Sequence, residues 1–382
     1  MRDRPDYDID VWRRRIPLLA SVIPMNNCSQ APQMDATRDA AERYLESWNT
    51  SGMDWDAWMA EVQLAKAEFA SLINASANEI AVFSSVSAAT SAVASTIDFL
   101  GPRRKVVVTE AEFPTIGHVW LAQERRGACV TWVPVDDGII AADAYRAIDE
   151  HTAIVSATHG YFLNGFMQDL PALVQCAHDA GALVYVDAYQ TSGIVPIDVR
   201  ALDVDFLAAG TLKFLMGSPG IAFLYVRRDL VERMQPFVTG WFGRVDPFAF
   251  SVKDLDWAPT ASRLDSGTPP VINAYISRAG MRVINEIGAS NIRSWLEVLS
   301  QDLIDGGRAR GLALHGTADV AGKTATTAFV VEHSHAVEAA MRARGVLPSS
   351  RGPVIRLAPH FYTTREDVSV ALDTLAAVVR ST

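Results

Sequence analysis

The sequence predicts an α/β fold: a large domain on a mostly parallel seven-stranded sheet, followed by a smaller α+β domain at the C-terminus. Three observations carry that expectation. Seven short apolar, β-branched runs recur at residues 80–83, 106–108, 130–135, 153–155, 183–186, 206–209 and 221–226. Patterns with apolar residues three and four apart lie between them, as at 88–100 and 170–180. Near residue 250 this rhythm stops, which sets the expected division at 1–255 and 256–382. Runs without alternation suit strands buried on both faces, and intervening helices are how parallel strands are joined.

In chain order, Arg13-Arg14-Arg15 precedes a short apolar stretch at 16–24 that carries two prolines, unlike a signal peptide. The run at 80–83 leads into Ser84-Ser85-Val86-Ser87, which opens a helical pattern. Hydroxyls and amides at a helix start make either an anion site or an ordinary polar cap. The run at 106–108 leads to Glu112-Phe113-Pro114-Thr115, and the run at 183–186 ends in Asp187, with Gln190 three positions on. After 206–209 comes a loop of small residues, 210–220, that holds Lys213.

In open α/β sheets, ligands gather at the carboxyl ends of strands. Asp187 and Lys213 both occupy such ends. Singly they read as a helix N-cap and a surface lysine. Together they are an amine and a carboxylate that suit pyridoxal phosphate. The amine forms the Schiff base, and the carboxylate keeps the pyridine nitrogen protonated so that the ring accepts electrons. Attack requires a neutral amine, so burial is expected to depress the lysine pKa below about 10.4.

Past a loop rich in proline, glycine and aromatics at 236–270, a long helical pattern runs to about residue 303. Two strand-like runs follow, at 327–331 and 354–357, the second enclosing Arg356. An arginine in an apolar strand needs an anionic partner. Thr364 and Asp367 form a capping-box-like start to a last helix, with Val368, Leu372, Leu375 and Val379 on its apolar face.

The composition sets bounds. A chain of 382 residues, 49% hydrophobic and 20% charged, buries a sizeable core. A net charge of −10 argues against a nucleic-acid partner. Cys28, Cys129 and Cys176 are widely spaced and suit neither a disulfide framework nor a metal site, so a reducing, cytoplasmic setting is expected. His333-Ser334-His335 lacks companion ligands, and no metal is expected. No run reaches transmembrane length, so no membrane partner is expected.

The order of these features resembles the class V, fold-type I pyridoxal-phosphate enzymes. That group holds cysteine desulfurases, kynureninases and isopenicillin N epimerase-like proteins. The resemblance runs from Asn26 to the C-terminus and is most specific in Val186-Asp187-Ala188-Tyr189-Gln190 and from Lys213 to Gly220. It implies a fold-type I transferase with pyridoxal 5'-phosphate as cofactor and Lys213 as its Schiff-base lysine. It also implies Asp187 at the pyridine nitrogen, Gln190 at the ring hydroxyl, and Val86 and Ser87 at the phosphate. Phe113 matches a ring-stacking aromatic where desulfurases carry histidine; the other reading is a core phenylalanine at a strand end.

The same resemblance makes Arg356 the fork for the substrate α-carboxylate, with Asn27 and Ser29 as further substrate contacts. His159 and Asn164 fall beside the cofactor ring. The stretch Arg263-Leu264-Asp265-Ser266-Gly267-Thr268-Pro269 is similar to a segment that reaches a partner subunit's phosphate. This implies a homodimer with Thr268 acting in trans and residues 240–244 near the same rim. Two departures stand out. Leu212 replaces the usual histidine or tyrosine before the lysine, so Thr211 is expected to supply that phosphate contact. The stretch 345–351 carries no cysteine, which disfavours persulfide-forming desulfuration.

The implied activity is on a small-molecule α-amino acid, through an external aldimine and quinonoid, with Lys213 as general base. It is expected to be an aminotransferase or a β-eliminating C–S lyase. Residues 25–29 and 240–250 faintly resemble enzymes that process cysteine S-conjugates in lincosamide antibiotic pathways. Alternatives are an oxygen-dependent decarboxylative deaminase, an amino-acid epimerase and a kynureninase-like hydrolase. A non-catalytic pyridoxal-phosphate-binding module is the alternative of another class. The set Lys213, Asp187 and Arg356 speaks against it.

Overall fold

The computed structural model describes residues 4–136, 138–140 and 142–381. Its strands, in chain order, begin with β1 (Ile23–Pro24), β2 (Ile80–Phe83), β3 (Lys105–Thr109) and β4 (Cys129–Val133). Then come β5 (Thr152–Thr158), β6 (Leu183–Asp187), β7 (Phe206–Gly210) and β8 (Ala222–Val226). The C-terminal part adds β9 (Ala313–His315), β10 (Thr327–Val330), β11 (Val346–Leu347), β12 (Ser349–Arg351) and β13 (Val354–Leu357).

The seven expected runs become β2 to β8 and form one sheet in the order β2-β8-β7-β6-β5-β3-β4. Neighbours from β4 to β7 pair in parallel, while β8 runs antiparallel to both β2 and β7. Why the runs lack alternation is visible in the packing. Val107, Val155, Val184 and Leu207 belong to one apolar cluster, whereas Val106, Val108, Ile154, Tyr185 and Phe206 belong to another. Adjacent residues of a strand point to opposite faces, so both faces are buried under helices and both must be apolar.

The smaller part carries an antiparallel sheet in the order β12-β13-β10-β9. The expected long helical pattern divides at Gly288, where φ is +86°, into helices Val271–Ile287 and Ala289–Ala309. Residues from the chain start share this part's core: Trp12, Ile16, Met25 and Met34 cluster with Leu299, Phe361 and Leu375. β1 also pairs with β11, and Asn26 bridges Ala358. The last helix, Arg365–Ser381, opens as expected: the Thr364 N–H donates to Asp367 at 2.9 Å, and the Asp367 N–H donates to the Thr364 hydroxyl at 3.1 Å. Its buried face ends on Val378 rather than Val379, which is 37% exposed. No helix among the described residues is long and apolar enough to cross a membrane.

Candidate active site

The carboxyl ends of the central strands border one cavity of about 430 Å³. Lys213 reaches it from the loop after β7, and that loop is tied down. The Gly217 N–H donates to Thr211 O at 2.8 Å, and the Met216 N–H donates to Lys213 O at 3.1 Å. Met216 sits at φ +56°, a left-handed conformation that costs energy in a non-glycine residue. The helix Val271–Ile287 can press on the loop because Gly280 has no side chain: a Cβ there would lie 2.5 Å from Leu215 O. On the other side, His360 Nε2 pairs with Phe214 O at 3.0 Å, and burial holds that imidazole neutral, with its pKa down at about 3.

Lys213 Nζ lies 4.1 Å from the centre of the Tyr189 ring and 5.7 Å from that of Phe113. Burial pushes its pKa from 10.5 down to about 8. Asp187 and Cys28 oppose that drop, while Arg356 and Arg351 deepen it. Asp187 ends β6 in the buried interior, and its Oδ1 accepts the Tyr189 N–H at 2.9 Å. Burial raises the Asp187 pKa, with the Tyr189 N–H and Lys213 pulling the other way. Glu112 is pushed well above the carboxylate range, by burial first and then by the charge of Asp187. Burial thus raises both neighbouring carboxyls, and the charge of Asp187 adds to the rise at Glu112.

Gln190 is buried in the cavity wall, where its Nε2 donates to Cys28 O at 3.1 Å. Its amide oxygen has no partner among the described residues. At the end of β2, helix Val86–Ser95 is capped by the Ser85 hydroxyl, which accepts the Ala88 N–H at 3.1 Å. The amides of Val86 and Ser87 then have no intrahelical acceptor, and both residues line the cavity. Ser87 and Thr115 share a hydroxyl hydrogen bond of 2.7 Å beside them. Phe113, at the start of helix Pro114–Ala122, is 41% exposed and stands edge-on to Phe162 at 5.3 Å. It is a wall ring, not a core ring.

Arg356 sits on β13 and is 1% exposed. Its guanidinium donates to Phe162 O at 2.6 Å, Ser29 Oγ at 2.9 Å and Ser349 Oγ at 2.6 Å. All three acceptors are neutral, and the Nε hydrogen has no partner among the described residues.

The cavity thus brings together Lys213, Asp187, Gln190, Val86, Ser87, Phe113, Arg356 and Ser29. Other nominated residues lie elsewhere. Asn27 is buried outside the cavity, where it donates to Ala358 O at 2.7 Å and accepts the Tyr362 hydroxyl at 2.6 Å. Thr211 is turned away: its hydroxyl is taken by Ser218 O at 3.0 Å and Ser277 Oγ at 2.7 Å. Thr268 is exposed in a loop outside this cavity. His159 lies behind the wall, with its N–H on Asp187 O at 2.9 Å and its imidazole pKa held at about 4 by burial and Arg293. Asn164 donates to Gly138 O at 2.8 Å and does not line the cavity.

Sequence reasoning missed Cys28, Tyr189, Phe162 and Arg351, which all line the cavity. Tyr189 lay inside the signature stretch without a role. Arg351 could have been found from the Gly352-Pro353 turn that separates it from the strand of Arg356. Nothing in the local sequence marks Phe162.

With this geometry in place, comparisons with known proteins identify relatives. The aminotransferase class-V family model matches residues 26–368. The chain is 35% identical over 369 residues to the uncharacterized aminotransferase YcbU of Bacillus subtilis (strain 168), covering 96% of this chain and 97% of that one. It is 28% identical over 391 residues to a kynureninase of Burkholderia mallei (strain SAVP1), covering 96% and 91%. Among solved structures, an apo cysteine desulfurase from Thermococcus onnurineus NA1 has a TM-score of 0.89 at 22% identity, with 99% of each chain covered. That likeness is one of fold.

Proposed function

The chain belongs to the aminotransferase class-V family and is a pyridoxal-phosphate-dependent enzyme; from that premise we propose that its cavity moves a proton at the Cα of an α-amino acid, as an aminotransferase. The residues fit the cofactor. The Lys213 amine, the buried Asp187 carboxylate, the unpartnered Gln190 oxygen and the open amides of Val86 and Ser87 match its aldehyde, ring nitrogen, ring hydroxyl and phosphate. When bound, pyridoxal phosphate supplies an electron sink for charge that develops at the substrate Cα.

One observation carries the amino-acid reading. Arg356 is a buried guanidinium held by neutral acceptors, with no carboxylate on it among the described residues. A buried charge without a counterion is costly, and a planar fork is well matched to a carboxylate. Arg356 would hold the substrate α-carboxylate, with Ser29 and Ser349 fixing the plane of its guanidinium. Lys213 Nζ, part neutral at pH 7, would take the Cα proton. The Tyr189 ring beside Nζ favours the ammonium form between transfers. Asp187 would keep its charge at the ring nitrogen, and Phe113 would cover the ring face. Which carbon receives the proton back from Lys213 sets the product.

A β-eliminating C–S lyase is the second reading. The Phe113–Phe162 wall beside Arg356 gives an apolar β-substituent, such as that of a cysteine S-conjugate, a surface to pack on. On the same footing we propose a homodimer in which Thr268 completes the phosphate site of a second copy. Its exposed loop position supports that role, as do the exposed Phe237, Phe250 and Leu255 nearby in sequence.

The test offers the cofactor-loaded protein a panel of amino acids and cysteine S-conjugates. Keto acid formed with the nitrogen retained on the protein indicates transamination. Pyruvate, ammonia and thiol indicate elimination, and aldehyde with oxygen uptake indicates decarboxylative deamination. If no amino acid alters the visible spectrum, and Lys213→Ala is indistinguishable from the parent in colour and borohydride reactivity, the proposal fails.

A further inference from the structure

The cavity holds a second arginine that the chemistry above leaves unused. Arg351 lies on β12, which forms a tight antiparallel hairpin with β13 through Gly352 at φ +52°. The register sets Ser349 opposite Arg356 and Arg351 opposite Val354. Residues two apart on a strand share a face, so Arg351, Ser349 and Arg356 project to the same side. Arg351 and Arg356 are diagonal neighbours, whose Cα atoms are typically about 7–8 Å apart. Both side chains line the cavity.

Their surroundings differ. Arg356 is buried and fixed by three hydrogen bonds, whereas Arg351 is exposed and has no ion pair or side-chain hydrogen bond among the described residues. Its charge nonetheless reaches the reacting amine, since it helps to depress the Lys213 pKa. The charged groups of the wall are Lys213, Arg351 and Arg356 against Asp187 alone, in a chain whose net charge is −10. The phosphate has its own cradle at the start of helix Val86–Ser95, which leaves two guanidinium groups for one substrate.

Resting on the amino-acid reading above, we infer that the preferred substrate is a dicarboxylic α-amino acid, with its α-carboxylate on Arg356 and its distal carboxylate on Arg351. The diagonal spacing and the flexible Arg351 side chain suit carboxylates separated by about one to three methylene groups beyond Cα. The exposed position of Arg351 puts the distal group toward solvent, where a charged end is cheap to hold.

The test compares near-isosteric pairs on the cofactor-loaded enzyme, L-aspartate with L-asparagine and L-glutamate with L-glutamine. The expected kcat/KM preference for the acid is about ten- to 150-fold in at least one pair, the worth of a charge-assisted hydrogen bond. In Arg351→Gln the ratio should fall to within about threefold of unity. Arg351→Lys should retain part of it, as a point charge without the fork. A ratio near one in the parent overturns the inference. So does Arg351→Gln if it lowers acid and amide equally, which would place Arg351 on the α-carboxylate or the phosphate. L-Alanine and L-norvaline separate this failure from that of the function itself. If they react while the acid-to-amide ratio is one, only the second carboxylate is wrong. If no amino acid reacts at all, the amino-acid reading has failed with it.

Discussion

Lys213 should titrate near pH 8 in the apoprotein. The lowering from 10.5 to about 8 corresponds to about 3.4 kcal/mol against the ammonium form. At pH 7 it raises the neutral fraction from about 0.03% to about 9%, roughly 300-fold more amine able to attack. The assay is capture of an uncharged aromatic aldehyde by apoprotein from pH 6 to 11, trapped with borohydride and assigned to Lys213 by peptide mapping. The rate should climb about tenfold per pH unit and level off with a midpoint near 8. Charge variants should shift the midpoint in opposite directions. Asp187→Asn removes a carboxylate that supports the ammonium and should lower it, whereas Arg351→Gln removes a repelling cation and should raise it. Stability provides a second readout with a fixed sign. Between about pH 8 and 10.5 the unfolded chain holds a proton on this lysine that the folded chain does not, so apoprotein stability rises with pH across that window. Below it the lysine costs up to about 3 kcal/mol, and Lys213→Met should be more stable than the parent by that order at pH 7. A midpoint near 10, or an upward shift in Asp187→Asn, would refute the reasoning.

Three further outcomes are expected. Arg356→Lys loses the planar fork while keeping a charge, and should raise the amino-acid KM by at least about tenfold while aldehyde capture by Lys213 persists, as steady-state kinetics and borohydride trapping would show. Gly280→Ala forces a methyl to within 2.5 Å of Leu215 O, so the lysine loop or the helix must move; a loss of about 1–3 kcal/mol is expected by thermal melts, with weaker cofactor retention on dialysis. Phe237→Asp combined with Phe250→Asp places charges on two exposed rings, and sedimentation should show dissociation together with lower cofactor affinity. A parent that is fully active as a monomer would rule out the shared site.

What could be read from the sequence follows from how local each signal is. The seven strands of the main sheet were legible because burial on both faces leaves unbroken apolar runs. That Lys213 and Asp187 meet in one cavity was legible because both follow strand ends, which is where such a sheet binds ligands. The outer strands β9 and β12 were not. Ser349-Ser350-Arg351 is polar and β12 is an edge strand, so it reads as loop. Val379 was assigned to the buried face because a spacing of four from Leu375 is as helical as the spacing of three that Val378 has. Only the packing of the helix decides between them.

The displacements of Thr211 and Asn27 from the cavity share a cause. Thr211 has the chemistry for a phosphate contact, but its hydroxyl is claimed by Ser277, which lies 66 positions away on the helix Val271–Ile287. Asn27 is drawn off in the same way by Tyr362, 335 positions away. A sequence shows which side chains can bond, but not which competitor arrives first when distant segments pack. Arg356 shows the converse. Its acceptors, Ser29 Oγ and Phe162 O, lie 327 and 194 positions away and are neutral, so the need for an anion that an arginine in an apolar strand signals is left unmet by them. Charge is the property that distant neutral partners cannot satisfy. Arg351 differs in being exposed, so water can solvate its charge, and its inferred pairing with a second carboxylate rests on its place in the cavity wall and on the hairpin face it shares with Arg356.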